Sequence, residues 1–341
     1  VAQRGTSSTS SGYQTVDRIE TQFSGTDENP TQAQVDVASG TTPYTLGFRK
    51  AFKITNGNQT SGAGTSDNLY FRYKPESQDI ANSGWNYNSA SSFITISFWV
   101  KSSVAQGFQF TLRTDDGTSY IYIMETGSLT ADTWTKVTKT IPGNANLTIN
   151  NDNGEGPQLL FVLYSGTDNS SNSATADAWQ AYSSGILFGR DSTSTWYTTN
   201  DATFEITGVQ LEVGSVATDF EFRSFAKEFS LCQRYYQQYV NPPCTGVIPD
   251  NSSKAYSIGL VFQTRMRTTP TTTITNVGDG GNVSDGGSTV DIASLNAADG
   301  NVNGMSIYLN LDSDLGNFRP ATLGRNDSTS HTTEYKFTAE F

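Results

Sequence analysis

Histidine occurs once, cysteine twice and methionine three times in 341 residues. A His/Cys metal centre is thereby excluded, because one imidazole and two thiols give too few ligands at no recognised spacing. A Ser-His-Asp arrangement would have to be built on His331 alone, in a polar run. Two cysteines cannot staple a small secreted scaffold, and Cys232 falls on an apolar seam, which reads as a buried thiol. Charged residues make up 16% and the net charge is -12, with no cluster of Lys and Arg. That balance excludes a partner such as nucleic acid, which requires clustered cations to displace counterions from phosphates, and it disfavours anionic membranes. No apolar run approaches the ~20 residues needed for membrane insertion. No charged-then-apolar leader opens the chain. "VAQRGTSSTSSGY" reads as a strand end entering a loop, and this points to an upstream segment before Val1.

What is abundant is Ser, Thr, Asn and Gly, the chemistry of short strands and turns. From Tyr44 onward, strand-like runs alternate with turn residues: Tyr44 to Ile54, Asn68 to Tyr73, Phe93 to Lys101, Phe108 to Arg113, Tyr120 to Glu125, Trp134 to Ile141, Gln158 to Tyr164 and Phe204 to Val213. Eight such runs predict a jelly-roll β-sandwich rather than βαβ units. Within "SFITISFWVKS", Ile94, Ile96, Phe98 and Val100 share one face and Trp99 takes the other. Trp134 likewise opposes Val137, and Tyr120 and Tyr122 oppose Ile121 and Ile123, so a second surface is expected to collect aromatics. Leu159 to Leu163 is apolar without a break, which predicts a strand covered on both faces. In "FEITGVQLEV" the apolar parity changes at Gly208, the mark of a bulge. The polar stretch Ser165 to Asn200 is longer than ordinary connections.

After Asp219 the period changes. Phe225, Phe229, Cys232, Tyr236 and Tyr239 recur at intervals of 4, 3, 4 and 3, the spacing of one stripe along a helix. Ser224 is the N-cap, Asn241-Pro242-Pro243 the stop, and the predicted helix is about 16 residues long. Such a stripe either packs one helix across a sheet or holds copies of the chain together as an oligomer seam. Strand patterns resume from Cys244 to Phe341. The expected organisation is residues 1–220 as the jelly roll, 221–243 as connecting helix and proline hinge, and 244–341 as a C-terminal β-sandwich domain.

The order of "VAQRGTSSTSSGYQTVDRI", "ISFWVKSS", "TWTKVTKTI", "FEITGVQLEVGSVATDFEFRSFAKEFSLCQRYYQQY" and "MRTTPTTTI" resembles a family of bacteriophage virion proteins, the tail fibres and appendages. The resemblance covers nearly the whole chain. It implies a jelly roll similar to carbohydrate-binding modules, a helix, a distal β domain and a homotrimer on a virion. It implies no enzyme, other virion proteins as partners through the upstream segment, and exposure to the extracellular medium.

Sugars stack flat C–H faces on aromatic rings while their hydroxyls bond amides and charged groups. Trp85 and Tyr87 in "GWNYN", Trp179 and Tyr182 in "AWQAY", and Trp196 and Tyr197 in "TWYTT" have that composition and are the candidates for binding host surface polysaccharide. The competing expectation for each ring is that it anchors its loop to the sandwich. Catalysis has little to work with. The carboxylate pairs Asp115 with Glu125 and Glu205 with Glu212 are matters of spatial separation. No cofactor is expected apart from Ca²⁺, for which Asp115, Asp116, Asp152 and Glu155 in two oxygen-rich loops are candidates without EF-hand spacing. Two alternatives stand beside a glycan-adsorbing tail fibre: an architectural head fibre, decoration or connector protein, and a glycan-degrading tailspike.

Overall fold

Short strands that alternate apolar and polar side chains bury their apolar faces by stacking sheet on sheet. The computed structural model describes residues 1–240, 244–247, 254–257, 259–275, 281–284, 289–313, 320–325 and 334–341. It divides into two compact units, residues 2–222 and 223–340. The protein is mainly β.

The strands of the first unit are β1 (Ser7–Ser8), β2 (Ile19–Ser24), β3 (Thr31–Asp36), β4 (Lys50–Thr55), β5 (Asn68–Tyr73), β6 (Phe93–Ser102), β7 (Gly107–Arg113), β8 (Tyr120–Ser128), β9 (Thr135–Pro142), β10 (Gln158–Ser165), β11 (Trp179–Ala181) and β12 (Thr203–Val213). Short helices α1 (Thr42–Thr45) and α2 (Ser77–Ala81) lie between them. One antiparallel sheet has the order β1-β3-β4-β12-β6-β9 and the other β11-β8-β7-β10-β5-β2. From β4 to β7, and again from β8 to β10, each connection passes from one sheet to the other, the wiring of a jelly-roll sandwich.

Between the sheets, Phe161 stacks on Phe71 at 4.9 Å and on Phe110 at 5.8 Å, with Phe98 edge-on at 5.2 Å. Each buried ring contributes ~1.5–3 kcal/mol. Ile94, Ile96, Phe98 and Val100 all face this core. Trp99 faces away and, with Trp134, packs against a second cluster of Val37, Phe48 and Ala51. The expectation for β8 is corrected. Tyr122 faces the core, while Ile121 and Ile123 lie on the outer face beneath Ala174, Tyr182 and Ile186 of the long loop. All eight residues of β10 are buried, because Leu187 and Phe188 of the same loop cover Leu160 and Val162 from outside.

At Gly208 the pairing of β12 with β6 shifts register and φ is +62°. A Cβ there would lie 2.6 Å from the Phe48 ring. The first predicted run begins too early: Tyr44 lies in α1, which carries Pro43 in its first turn, and the strand begins only at Lys50. Strands β2 and β3, "IETQFS" and "TQAQVD", carry too few apolar residues to stand out in the sequence.

The second unit opens with α3 (Phe225–Gln233), capped by Ser224, whose hydroxyl accepts from the Lys227 backbone N–H at 3.3 Å. The predicted helix is therefore corrected from about 16 residues to nine. Its second half is the strand β13 (Tyr236–Val240). Here the backbone carbonyls of Arg234 and Tyr235 accept from Arg267 and Ala339, both at 2.8 Å. Tyr236 to Val240 then pairs antiparallel with Thr338 to Glu334. Tyrosines suit a pleated, half-buried strand, and a tertiary strand partner overrides the helical spacing.

Further along are β14 (Cys244–Val247), β15 (Lys254–Ser257), β16 (Leu260–Val261), β17 (Thr271–Thr275), β18 (Gly281–Ser284), β19 (Thr289–Asn301), β20 (Gly304–Leu311), β21 (Pro320–Arg325) and β22 (Glu334–Thr338). Strands β13, β22 and β17 form one sheet. The other runs β15-β14-β21-β18-β19-β20-β16 and closes on itself by a β15–β20 pairing. His331 lies outside the described residues.

Candidate functional site

The long loop after β10 covers only part of the outer face of the sheet containing β5, β7 and β10. Phe188 packs on Tyr70 at 4.7 Å, and the Gln109 amide clasps Arg190, donating to its carbonyl at 2.5 Å and accepting from its N–H at 2.7 Å. Beyond this cover the sheet face is open. A cleft of about 530 Å³ there is lined by Arg72, Lys74, Arg113, Asp115, Asp116, Glu155 and Gln158. The cleft is shallow and its lining polar, where most small-ligand sites are enclosed and apolar.

Register builds the cleft. Glu20 of β2 lies opposite Arg72 of β5, and Gln158 of β10 lies opposite Arg113 of β7. Directly paired residues point to the same side of a sheet. The Arg72 Nε donates to Glu20 at 2.7 Å and its Nη1 to the Gln158 carbonyl oxygen at 2.9 Å. The Gln158 amide in turn donates to Asp115. Arg113 is 3.2 Å from the Asp115 carboxylate. Lys74, which is buried, reaches Glu155 at 3.3 Å and Glu20 at 3.5 Å. Burial would raise the Glu20 carboxyl, but hydrogen bonds from Arg72 and Gln22 and the charges of Arg72 and Lys74 outweigh it and hold it below its ordinary range.

Tyr182 is the predicted ring that the structure brings to this site, with the Arg113 guanidinium 4.8 Å from its centre. Three of the six predicted rings are corrected. Trp85, Trp196 and Tyr197 are core residues, with 3%, 0% and 0% of their surface exposed, and cannot offer a face to a sugar. The Trp196 indole N–H donates to the Thr203 carbonyl at 3.0 Å. Tyr197 stacks on Tyr164 at 4.2 Å and donates to Asp67 at 3.3 Å. Trp85 donates to the Ser92 carbonyl at 3.3 Å. Tyr87 and Trp179 are half-buried loop anchors, donating to the carbonyls of Ile149 at 3.3 Å and Pro142 at 2.7 Å.

The seam residues are also redistributed. Phe225 is 72% exposed and stacks on Phe229 at 5.7 Å, and Cys232 is buried. Tyr236 and Tyr239 belong to β13, so no continuous helical stripe joins the five.

The candidate calcium ligands are engaged with the protein. Asp115 and Glu155 face cations as described. Asp116 accepts from Ser77 at 2.8 Å and from the Asn150 side chain at 2.7 Å, and Asp152 accepts from the Gly154 N–H at 2.9 Å. Among the described residues no group of three or more His, Cys, Asp and Glu side chains is placed to hold a metal ion. Glu205 and Glu212 lie seven residues apart on β12, roughly 20 Å at the rise of a strand. Asp115 follows the end of β7 whereas Glu125 pairs with Gln109, a similar span of roughly 20 Å. Glycosidase pairs are ~5–9.5 Å apart.

Sequence reasoning missed Arg72, Arg113, Gln158 and Glu20. The alternation in "NLYFRY" puts Arg72 opposite in parity to the buried Leu69 and Phe71, which is the one signal that was available.

No protein-family model matches the sequence, and no curated protein matches it. Solved structures similar to this chain include the enzymatically active domain of tailspike protein 4 of bacteriophage CBA120, at 9% identity and TM-score 0.32, over 58% of this chain and 19% of that one. A CBM4 structure is similar at 15% identity and TM-score 0.26, over 54% of this chain and 78% of the other. Discoidin II from Dictyostelium discoideum is similar at 9% identity and TM-score 0.17, over 81% of this chain and 78% of that one.

Proposed function

We propose that this protein is a phage virion component, a tail fibre, whose jelly roll binds surface polysaccharide of the bacterial host through the cleft beside β5, β7 and β10. One observation carries the binding reading: an open cleft of about 530 Å³ in which guanidinium, carboxylate and amide groups converge beside a tyrosine ring. Sugar hydroxyls donate and accept at once, so alternating donors and acceptors suit them. The virion setting and the homotrimer rest on the sequence resemblance. Three copies of a weak site on one fibre would add avidity without new contacts.

The state of the cleft carboxylates supports a reading of binding rather than hydrolysis. A general acid needs a raised pKa, and Glu20 is shifted the other way by its cationic neighbours. Asp115 pairs with Arg113, and one oxygen of Glu155 pairs with Lys74. No cofactor enters this reading.

The test is a host-polysaccharide binding assay with the full chain, in parallel with Arg113→Ala. Binding that the substitution weakens about tenfold supports the proposal, that being the scale of one lost charge-assisted hydrogen bond. Binding unaffected by the substitution removes the cleft from the proposal. Release of reducing ends from the polysaccharide would make the protein an enzyme.

A further inference from the structure

The glycan-binding reading leaves the class of sugar open, and the charge arrangement of the cleft bears on it. Every cation that lines it has a carboxylate within reach: Arg72 has Glu20 at 2.7 Å, Lys74 has Glu155 at 3.3 Å and Glu20 at 3.5 Å, and Arg113 has Asp115 at 3.2 Å. Asp116 adds a further carboxylate to the lining. Four acidic groups, Glu20, Asp115, Asp116 and Glu155, thus stand against three basic ones. The whole chain, at -12, adds repulsion of the same sign.

Resting on that reading, we infer that the cleft selects uncharged, hydroxyl-rich saccharides and rejects acidic ones such as uronate polymers. A vicinal diol brings one donor and one acceptor within a few ångströms, which matches a guanidinium beside a carboxylate and leaves that ion pair intact. A sugar carboxylate that approaches Arg72, Arg113 or Lys74 meets the protein carboxylate already paired with that cation. The side chains of Arg72, Arg113 and Lys74 are 18%, 12% and 6% exposed, so a sugar carboxylate brought against them must give up most of its own hydration. Arg72 and Gln158 add to the selection, because the Gln158 carbonyl already accepts from Arg72 while its amide donates to Asp115. The bonded chain Glu20–Arg72–Gln158–Asp115–Arg113 holds all five side chains in place before a ligand arrives. The depressed Glu20 carboxyl keeps its compensating charge in mildly acidic medium.

The experiment is affinity gel electrophoresis and calorimetry of the full chain. The neutral probes are dextran, arabinoxylan and galactomannan; the acidic ones are alginate, polygalacturonate and hyaluronan. Each is used at about 20 mM and about 300 mM NaCl, between which surface electrostatics are screened. Expected is binding to a neutral polymer that changes less than about twofold with salt, and at least about tenfold weaker binding to every acidic one. Asp115→Asn, which frees Arg113 from its counter-charge, should tighten acidic polymers about threefold or more at low salt, with its fold checked by thermal melting. The inference is overturned by an acidic polymer bound as tightly as any neutral one with salt-sensitive affinity. It is overturned as well by Asp115→Asn, folded, leaving the preference unchanged. Failure of all six polymers to bind strikes instead at the glycan-binding reading beneath it.

Discussion

The Arg113 guanidinium lies 4.8 Å from the centre of the Tyr182 ring. One group ends a strand of the sandwich and the other comes from the loop that covers it, so this contact couples the loop to the cleft. A cation over an aromatic face is worth ~0.5–2 kcal/mol depending on burial. Tyr182→Ala is therefore expected to lower the urea midpoint modestly, since the ring also packs over Ile121 and Ile123, and to weaken polysaccharide binding by loosening Arg113. Calorimetry beside a denaturation curve checks both halves.

Trp196 should behave in the opposite way. It has no exposed surface and packs near Phe108, centroids 6.2 Å apart. Trp196→Ala is expected to cost about 3–5 kcal/mol of unfolding free energy, as other large-to-small aromatic core substitutions do. Binding by the fraction that remains folded should be unaltered. Loss of binding without loss of stability would return this ring to the site.

Alkali should expose the buried tyrosine pair. Burial and the neighbouring Asp67 push Tyr197 well above the ordinary 10.0, and Tyr164 is raised for the same reasons. The unfolded chain thus releases protons at lower pH than the folded one, so the contribution is fully present below pH 10.0 and is lost as pH rises above it. Tyr197→Phe is expected to flatten the fall in urea midpoint between about pH 9 and 11. An identical slope in the variant would contradict the assignment.

Acid should act through Glu20. Its folded pKa is below the ordinary 4.5 although burial opposes the shift. The stability it brings is present above pH 4.5 and is lost as pH falls through the lower folded value. Glu20→Gln should therefore be less stable than the wild type at neutral pH, with the two curves converging in acid. Thermal melting from about pH 6 down to 2 follows the convergence.

At Gly208 the left-handed backbone and the Phe48 ring 2.6 Å from a built Cβ act together. Gly208→Ala is expected to destabilise by about 1–3 kcal/mol. A Gly208→Ala protein with wild-type melting temperature would show that the bulge can slide along β12.

Several features were legible residue by residue. The parity of "SFITISFWVKS" put Trp99 opposite Ile96, and the unbroken Leu159 to Leu163 declared a strand with two covered faces. Gly208 marked its own bulge, because only a parity change reconciles Phe204 with Leu211 on one strand. Cys232 read as a buried thiol and is one. These succeeded because side-chain alternation is a local property of the backbone, independent of which strand lies next door.

The misreadings share a cause. Tyr236 and Tyr239 keep helical spacing from Phe229, yet pairing with Thr338 and Tyr335, about a hundred residues away, decides for a strand. Tryptophans in polar loops looked like sugar platforms, but whether Trp196 faces solvent or Phe108 is set by the fold of the loop against the sandwich. The cleft itself was invisible in the sequence, since Glu20, Arg72, Arg113 and Gln158 come from four strands. The chain alone determined a β protein of alternating strands with a bulge and a doubly covered strand. Sheet order and register decided which charged groups meet, because ion pairs between strands depend on long-range hydrogen-bonded neighbours and not on spacing along the chain.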